Sequence, residues 1–496
     1  MDRLRGATSQ CRASNPARGC ERPAGRRFYF RPRGERSRRV VPGADRPGCG
    51  LGRSEAAHRA TSVHQPDGRD HGVPLRRDAV AHPRRALRSL EPCRARKAQA
   101  RDPASGAKHA WNRSATNRLS LRAKMNFEVT PEQQQLVDSV RFALAQECPT
   151  TLVREIIENG RAAEQPWKSA RELGWTSIDL PETLGGLELG FTTLGLVIEQ
   201  HGCCIAPGPF LATVSQFLPL VCEAGSPEQL ERFAAPAGAG ELTGALAIDH
   251  GRAAEHDPGE SLRAHRDGDA WVLEGERSYV PDGEVANEIA VAARVDSGDG
   301  VGLFVIPQGA AKTQQVVALD ASRPLAHLRF ERVRIEPDRV LGTPGRSARA
   351  LGRALERATV AASLECVGTC QTLMEMTVEH AKNRRQFDQP IGAFQAIQHK
   401  CADMFVQVEK ARATAYFAMM ALAEDDPRRA LAASMAKAAA SDCQRLVCKE
   451  GIQIHGGMGY TWESNVQLFV KRAKTLEALF GTGGAHRQRI ADLLEV

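Results

Sequence analysis

Residues 384–404 read Arg384-Arg385-Gln386-Phe387-Asp388-Gln389-Pro390-Ile391-Gly392-Ala393-Phe394-Gln395-Ala396-Ile397-Gln398-His399-Lys400-Cys401-Ala402-Asp403-Met404. The stretch holds a break between two helical periods. Asp388-Gln389-Pro390 stops a long periodic segment that runs from about Ala348 to about Arg385, because proline lacks an N–H and its ring clashes with the preceding turn. Beyond the break, Phe394, Ile397, Cys401, Met404, Phe405 and Val408 recur on one stripe, which predicts a second helix from about Ala393. A third is predicted after Asp426-Pro427, running Ala-rich to His455. A fourth is predicted to start at a capping box made by Ser464 and Gln467. Successive helices with short connections predict a bundle.

Upstream the period changes. Trp271–Gly275, Glu288–Ala293, Val301–Pro307 and His327–Ile335 are short apolar runs bounded by Gly, Asp and Pro. Strands so spaced, with no helices between them, predict a small antiparallel sandwich or barrel. Earlier still, Thr130-Pro131-Glu132-Gln133 is a helix start with a cap, a first-turn proline and a capping box. Leu136, Val137, Val140 and Leu144 follow on one face. Leu180-Pro181-Glu182-Thr183-Leu184-Gly185-Gly186-Leu187 is a turn region before a helix from about Thr192 to His201. The chain therefore reads as mainly α with a middle β domain: an α domain at 125–240, β at 241–344 and a helical bundle at 345–496.

Residues 1–124 differ in kind. They carry 27 Arg and 3 Lys against 10 acidic groups, whereas the remainder holds 37 basic and 49 acidic groups. The net charge of +8 thus describes neither part. Basic groups spread evenly among Pro and Gly do not form a nucleic-acid face, and frequent Pro with ten acids does not suit a transit peptide. Such a segment cannot bury enough surface to order itself. Organised sequence begins at Met125, the first Met after Met1, and the reading adopted is an upstream mis-assigned start. The 13 cysteines include no CxxC pair, and buried free thiols in a reducing, cytoplasmic setting are expected. HExxH, GxxxxGK[ST] and GxSxG are absent, which argues against a zincin, a P-loop NTPase and a serine hydrolase. No metal site is expected, and no uncharged apolar run is long enough to span a membrane.

From Met125 onward the sequence resembles the acyl-CoA dehydrogenase family. Arg384 to Met404 is similar to that family's R-x-x-F-x-x-P-I-x-x-F-Q-x-x-Q signature, Gln453-Ile454-His455-Gly456-Gly457-Met458-Gly459-Tyr460 to its second flavin-contacting segment, and Leu180 to Gly186 to a turn of its first domain. The resemblance implies FAD as cofactor, an acyl-CoA substrate, an electron-transferring flavoprotein as electron acceptor and a homo- or heterotetramer. It implies that Arg384, Phe387 and Gln395 reach the FAD of a neighbouring subunit, and that Gln453, Gly456 and Gly457 approach it through backbone and amide. Read alone, Gly456-Gly457 is a helix C-cap followed by a turn and Arg384 a solvated side chain.

The same resemblance exposes departures. The family's usual base is a Glu in a Y-E-G-T segment. Here the stretch is Ala478-Leu479-Phe480-Gly481-Thr482, so Phe480 stands where the Glu would be and cannot take a proton, although its main-chain N–H remains to polarise a thioester carbonyl. Thr482 keeps its place in the cofactor site. Some relatives carry the base in an L-E-R segment, matched by Leu355-Glu356-Arg357. Glu356 is therefore the candidate base and Arg357 a residue that orders the acyl site. The competing reading of Glu356 is an exposed helix residue paired with Arg353 or Arg357. In the β domain, Ala245 to His250 lacks the Thr and Ser of a T-E-P-x-x-G-S-D loop. Tyr279-Val280-Pro281 replaces W-I-T; Tyr279 can stack on a flavin, but Pro281 offers neither hydroxyl nor N–H.

The main functional expectation is α,β-dehydrogenation of an acyl-CoA thioester. Two alternatives are a half-site or non-catalytic partner subunit of a heteromeric enzyme, and a flavin monooxygenase or oxidase on the same fold. The reading of residues 1–124 makes its own prediction. A chain beginning at Met125 should fold, bind FAD and assemble as the full chain does. Insolubility or flavin loss confined to the shortened chain, seen by gel filtration and absorbance, would refute it.

Overall fold

In a computed structural model of the protein, residues 128–160, 164–296 and 300–496 are described; the basic N-terminal segment lies outside them. The first helix, α1 (Pro131–Glu147), starts as its sequence predicts. The Gln133 N–H donates to Thr130 Oγ1, and the Thr130 N–H donates to Gln133 Oε1. Leu136, Val137, Val140 and Leu144 are its buried face. Then come α2 (Thr150–Asn159), α3 (Glu164–Glu172), α4 (Gly190–Cys203) and α5 (Leu218–Ala224). Between α3 and α4 the Leu180–Gly186 turn closes on itself. A Cβ on Gly186 would sit 1.9 Å from the Leu180 carbonyl oxygen, so only glycine fits there.

The middle segment forms one sheet of β1 (Gly244–Ala247), β2 (Leu262–Asp267), β3 (Ala270–Pro281), β4 (Glu288–Val295), β5 (Val301–Pro307), β6 (Lys312–Val316), β7 (Leu325–Ile335) and β8 (Val340–Leu341). Its order is β6-β7-β3-β2-β4-β5-β8, with β1 also paired to β4. Most ladders are antiparallel as expected, but β4 pairs in parallel with both β1 and β2. That mixed pairing corrects the all-antiparallel expectation; such contacts are non-local and leave no turn signature. Burial explains the apolar run Ile289–Ala293. Ile289, Val291 and Ala293 face a core within the sheet domain, while Ala290 and Ala292 join the core of the helices. A strand buried on both faces need not alternate.

The bundle comprises α6 (Ala348–Asn383), α7 (Gln395–Ala423), α8 (Arg429–His455), α9 (Val466–Ala478) and α10 (Gly483–Leu494). The long helix α6 packs on α4, α7, α8 and α9. The start of α9 differs from the expected capping box. Its N-cap is Asn465, Ser464 Oγ accepts the Val466 N–H, and both amide atoms of Gln467 are buried with no partner among the described residues. The helix begins later than the S-x-x-Q spacing assumes, so Gln467 turns inward. No helix among the described residues is long and apolar enough to cross a membrane.

Sheet and bundle are joined by buried charge. Arg472 of α9, fully buried, donates to Asp320 in the β6–β7 connection at 2.6 Å and to Glu365 of α6 at 2.8 Å. Arg323 makes a bidentate pair with the same Glu365 at 2.9 and 2.8 Å. Two guanidinium groups thus face two carboxylates. Burial alone would raise the Asp320 carboxyl, but Arg472, the Ser322 hydroxyl and Arg323 together outweigh it and hold it below its usual range. Removing one member leaves an uncompensated buried charge. Arg472→Ala is accordingly expected to cost about 3–5 kcal/mol in denaturant unfolding. A loss under about 1 kcal/mol would mean that the cluster is not what holds the sheet to the bundle.

Candidate active site

The signature that stops α6 builds a small hairpin. Strands β9 (Arg385–Gln386) and β10 (Gln389–Pro390) pair through a two-residue turn at Phe387 and Asp388, with φ of 53° and 64°. Two consecutive positive φ values make the mirror-image turn that suits a hairpin. The sequence hides it, because neither residue is Gly or Asn. A non-glycine residue held there costs about 1–2 kcal/mol, and such strain clusters at binding sites. The turn presents Phe387, 86% exposed, edge-on to Phe394. Arg384 is exposed, and its guanidinium has no ion pair among the described residues. Gln395, also exposed, opens α7.

The second segment is brought to the same end of the bundle. His380, near the end of α6, stacks on His455, the last residue of α8, with ring centroids 4.4 Å apart. Arg384 therefore lies one turn beyond a ring that touches the residue before Gly456. Gly456 has φ of 62°, and both Gly456 and Gly457 face open space where a Cβ would stand. Gln453 is exposed beside them. A free guanidinium and an exposed aromatic face, beside two glycines that leave room for close approach, fit a dinucleotide's pyrophosphate and rings.

Tyr279 and Thr482 lie in a different neighbourhood, where the sheet meets α9 and α10. Tyr279 is 56% exposed and bends the end of β3 with φ of 62°. Thr482 caps α10, its Oγ1 accepting the Ala485 N–H. Between them Phe480 is fully buried at φ 59°, a further strained position. Its turn is held on all sides. The His486 Nε2–H donates to the Phe480 carbonyl at 2.8 Å. Buried Lys437 donates to the carbonyls of Leu476 and Leu479, and burial pushes its ammonium down to about 8. The Phe480 N–H donates to His250 Nδ1 at 3.2 Å. The donor expected to face a thioester carbonyl is thus taken by an imidazole.

Glu356 is buried, not an exposed helix residue. It pairs with Arg429 of α8 at 2.6 Å rather than with Arg353 or Arg357. Burial raises its carboxyl above the usual range even though Arg429 opposes the shift. Arg489 of α10 acts on this carboxylate and donates to His256 Nδ1 at 3.1 Å. Helix α10 thus carries both the Arg489 charge that opposes the rise of Glu356 and, one turn earlier, the His486 ring that holds the Phe480 carbonyl. Arg357 diverges from its neighbour. It pairs with Asp179, lies 4.9 Å over the Phe191 ring and lines a cavity of about 260 Å³ with Thr176, Val214 and Leu218. A step of one residue turns a side chain by about 100° around a helix, so Arg357 faces the N-terminal helices instead of the Phe480 turn.

Reasoning from sequence missed His250, Lys437, His486 and Arg489. A lone His in the apolar run Ala245–Gly251 was the available signal for the first. The other three lie on helix faces where nothing distinguishes them from ordinary residues.

Comparisons with known proteins agree with this architecture. Residues 130–241 match the description "Acyl-CoA dehydrogenase, N-terminal domain" and residues 348–494 "Acyl-CoA dehydrogenase, C-terminal domain". Cyclohex-1-ene-1-carbonyl-CoA dehydrogenase of Geobacter metallireducens is 30% identical over 366 residues, covering 71% of this chain and 95% of that protein. Among solved structures, the ChsE4-ChsE5 complex from Mycobacterium tuberculosis superposes with a TM-score of 0.68 at 27% identity, over 75% of this chain and 99% of that one. One described as the electron transferring flavoprotein of Acidaminococcus fermentans gives 0.69 at 25%, over 75% and 99%. The fold and the site define a flavin-dependent oxidoreductase. The chain belongs to the acyl-CoA dehydrogenase family, whose cofactor is FAD.

The bundle-end donor set carries a prediction. Arg384→Ala removes a charge-assisted contact worth about 1.5–3 kcal/mol, and flavin should be lost on gel filtration and dilution. Full flavin retention would take Arg384 out of the site.

Proposed function

We propose that Glu356 is the base with which this FAD-dependent acyl-CoA dehydrogenase removes the α proton of its thioester. The observation that carries the reading is the buried Glu356 carboxylate, its basicity raised by burial, with Arg429 of α8 paired to it and the charge of Arg489 on α10 acting on it. Phe480 has no group that accepts a proton, so the acceptor must come from elsewhere. A base is most effective when its pKa approaches the working pH, and burial shifts Glu356 in that direction. Bound FAD supplies the acceptor for the β hydride. The residues that would hold it divide as the two neighbourhoods do. Arg384, Phe387, Gln395, Gln453, Gly456 and Gly457 serve the dinucleotide of a neighbouring subunit, and Tyr279 and Thr482 the ring end of the chain's own. Such sharing requires an oligomer, taken here as a tetramer, with residues 125–240, 241–344 and 345–496 as its three domains. The likeness to the Acidaminococcus structure supports an electron-transferring flavoprotein as acceptor. Nine free cysteines among the described residues, five of them buried, suit a reducing cytoplasmic setting.

A second reading has its own support. The Phe480 N–H is already engaged by His250, and Pro281 offers the cofactor no donor. The ChsE4-ChsE5 structure is a complex of two different chains. On this reading the chain is the half-site partner in a heteromer. Flavin counted per subunit, for the chain alone and after co-expression with a homologous partner chain, separates the two: one per subunit for the dehydrogenase, one per pair for the half-site.

Glu356→Gln keeps size and hydrogen bonding but removes basicity. Flavin reduction by saturated acyl-CoA, followed by stopped flow, should fall by about 10²-fold or more while FAD stays bound. Wild-type rates in that variant would end Glu356's role as base.

A further inference from the structure

His250 is the one side chain in the candidate site whose place neither the base nor the cofactor explains. It is 7% exposed and sits where the sheet meets the bundle. It lines two cavities. One, of about 340 Å³, is bounded by Ile248, Asp249, Ser261, Glu276 and Arg277. The other, of about 330 Å³ and mostly apolar, is bounded by Val316, Val317, Leu319, Lys474 and Leu479. Tyr279 is the other residue common to both.

Two hydrogen bonds fix the ring. The Tyr279 carbonyl at 3.1 Å can only accept, so Nε2 carries the hydrogen. The Phe480 N–H at 3.2 Å can only donate, so Nδ1 is bare. One neutral tautomer satisfies both. Burial, with Lys437 adding to it, pushes the imidazole down to about 4, so it stays neutral in ordinary buffers. The ring also meets the Phe480 ring edge-on at 5.1 Å. Neither hydrogen bond involves a charged group, so neither belongs to the strong class.

We propose that His250 is a movable partition of the acyl site. Turning it out joins the two cavities and frees the Phe480 N–H for a thioester carbonyl oxygen, which then takes the acceptor role of Nδ1. The inference rests on the acyl-CoA dehydrogenase reading and adds to it the residue that controls entry. The donor stays aimed after the ring leaves, because His486 holds the Phe480 carbonyl and Lys437 the carbonyls of Leu476 and Leu479. The partition is thus a cost that every thioester meets on binding, and removing it should show as affinity.

The test is calorimetric titration of the full-chain flavoprotein with crotonyl-CoA, a short enoyl thioester that makes little demand on the acyl pocket. His250→Ala should bind it about tenfold tighter than wild type or more, since no ring then has to be turned out of the site. His250→Phe keeps a ring that must still be turned out and should bind less tightly than His250→Ala. Equal or weaker binding by His250→Ala, or binding by His250→Phe as tight as by His250→Ala, overturns the proposal. If His250→Ala melts well below wild type, His250→Asn, smaller than the ring, takes its place: tighter binding is again expected, and equal or weaker binding again overturns the proposal. Bleaching of wild-type flavin by a saturated thioester reports separately on the dehydrogenase reading, and it can occur whether or not the affinities move.

Discussion

Arg472 is the point on which the arrangement turns. A fully buried guanidinium is tolerated only when its charge is matched and its donors are used. Here Asp320 and Glu365 do both, and Arg323 balances the second carboxylate. The cluster takes Asp320 and Arg323 from the β6–β7 connection, Glu365 from α6 and Arg472 from α9, so three elements distant in sequence share one solution. Helix α9 runs from that anchor to Ala478, and the Phe480 turn follows at once. The strained turn is therefore placed by a buried electrostatic constraint. It is then trimmed by its hydrogen bonds with Lys437, His486 and His250.

Non-glycine residues at positive φ recur at the residues singled out for chemistry. Tyr279, Phe387 and Phe480 all adopt it, as does His256 beside Arg489. Each such position costs about 1–3 kcal/mol. At the three candidate site residues the surroundings over-determine the geometry: a hairpin at Phe387, a bulged strand end at Tyr279 and three anchors at Phe480. Strain of this kind aims a side chain or an N–H that relaxed backbone would turn elsewhere.

Much of this was legible in the sequence because it is local. The capping box at Thr130 and the proline break at residue 390 are set by neighbours a few residues apart, and the structure follows them closely. What failed was non-local. The parallel pairing of β4 depends on strands more than twenty residues away, and Gln467 turns inward because of what α9 packs on. The site divides in the same way. The L-E-R segment drew attention to Glu356, but its partner Arg429 is 73 residues further on. Arg357, adjacent in sequence, goes to Asp179 instead. His250 could be seen only as a residue out of place in an apolar run.

Everything in the proposed chemistry depends on which group accepts the α proton. The rate at which a saturated acyl-CoA reduces the bound flavin in wild-type protein, measured against pH, tests this most directly. Glu356 is raised from the usual carboxylate range by burial. The account predicts a rate that is constant at high pH and falls as pH drops through a single ionisation above the ordinary carboxylate range, since only the ionised carboxylate can take a proton. A rate independent of pH down to ordinary carboxylate values, or one that rises only through the lysine range, would contradict it.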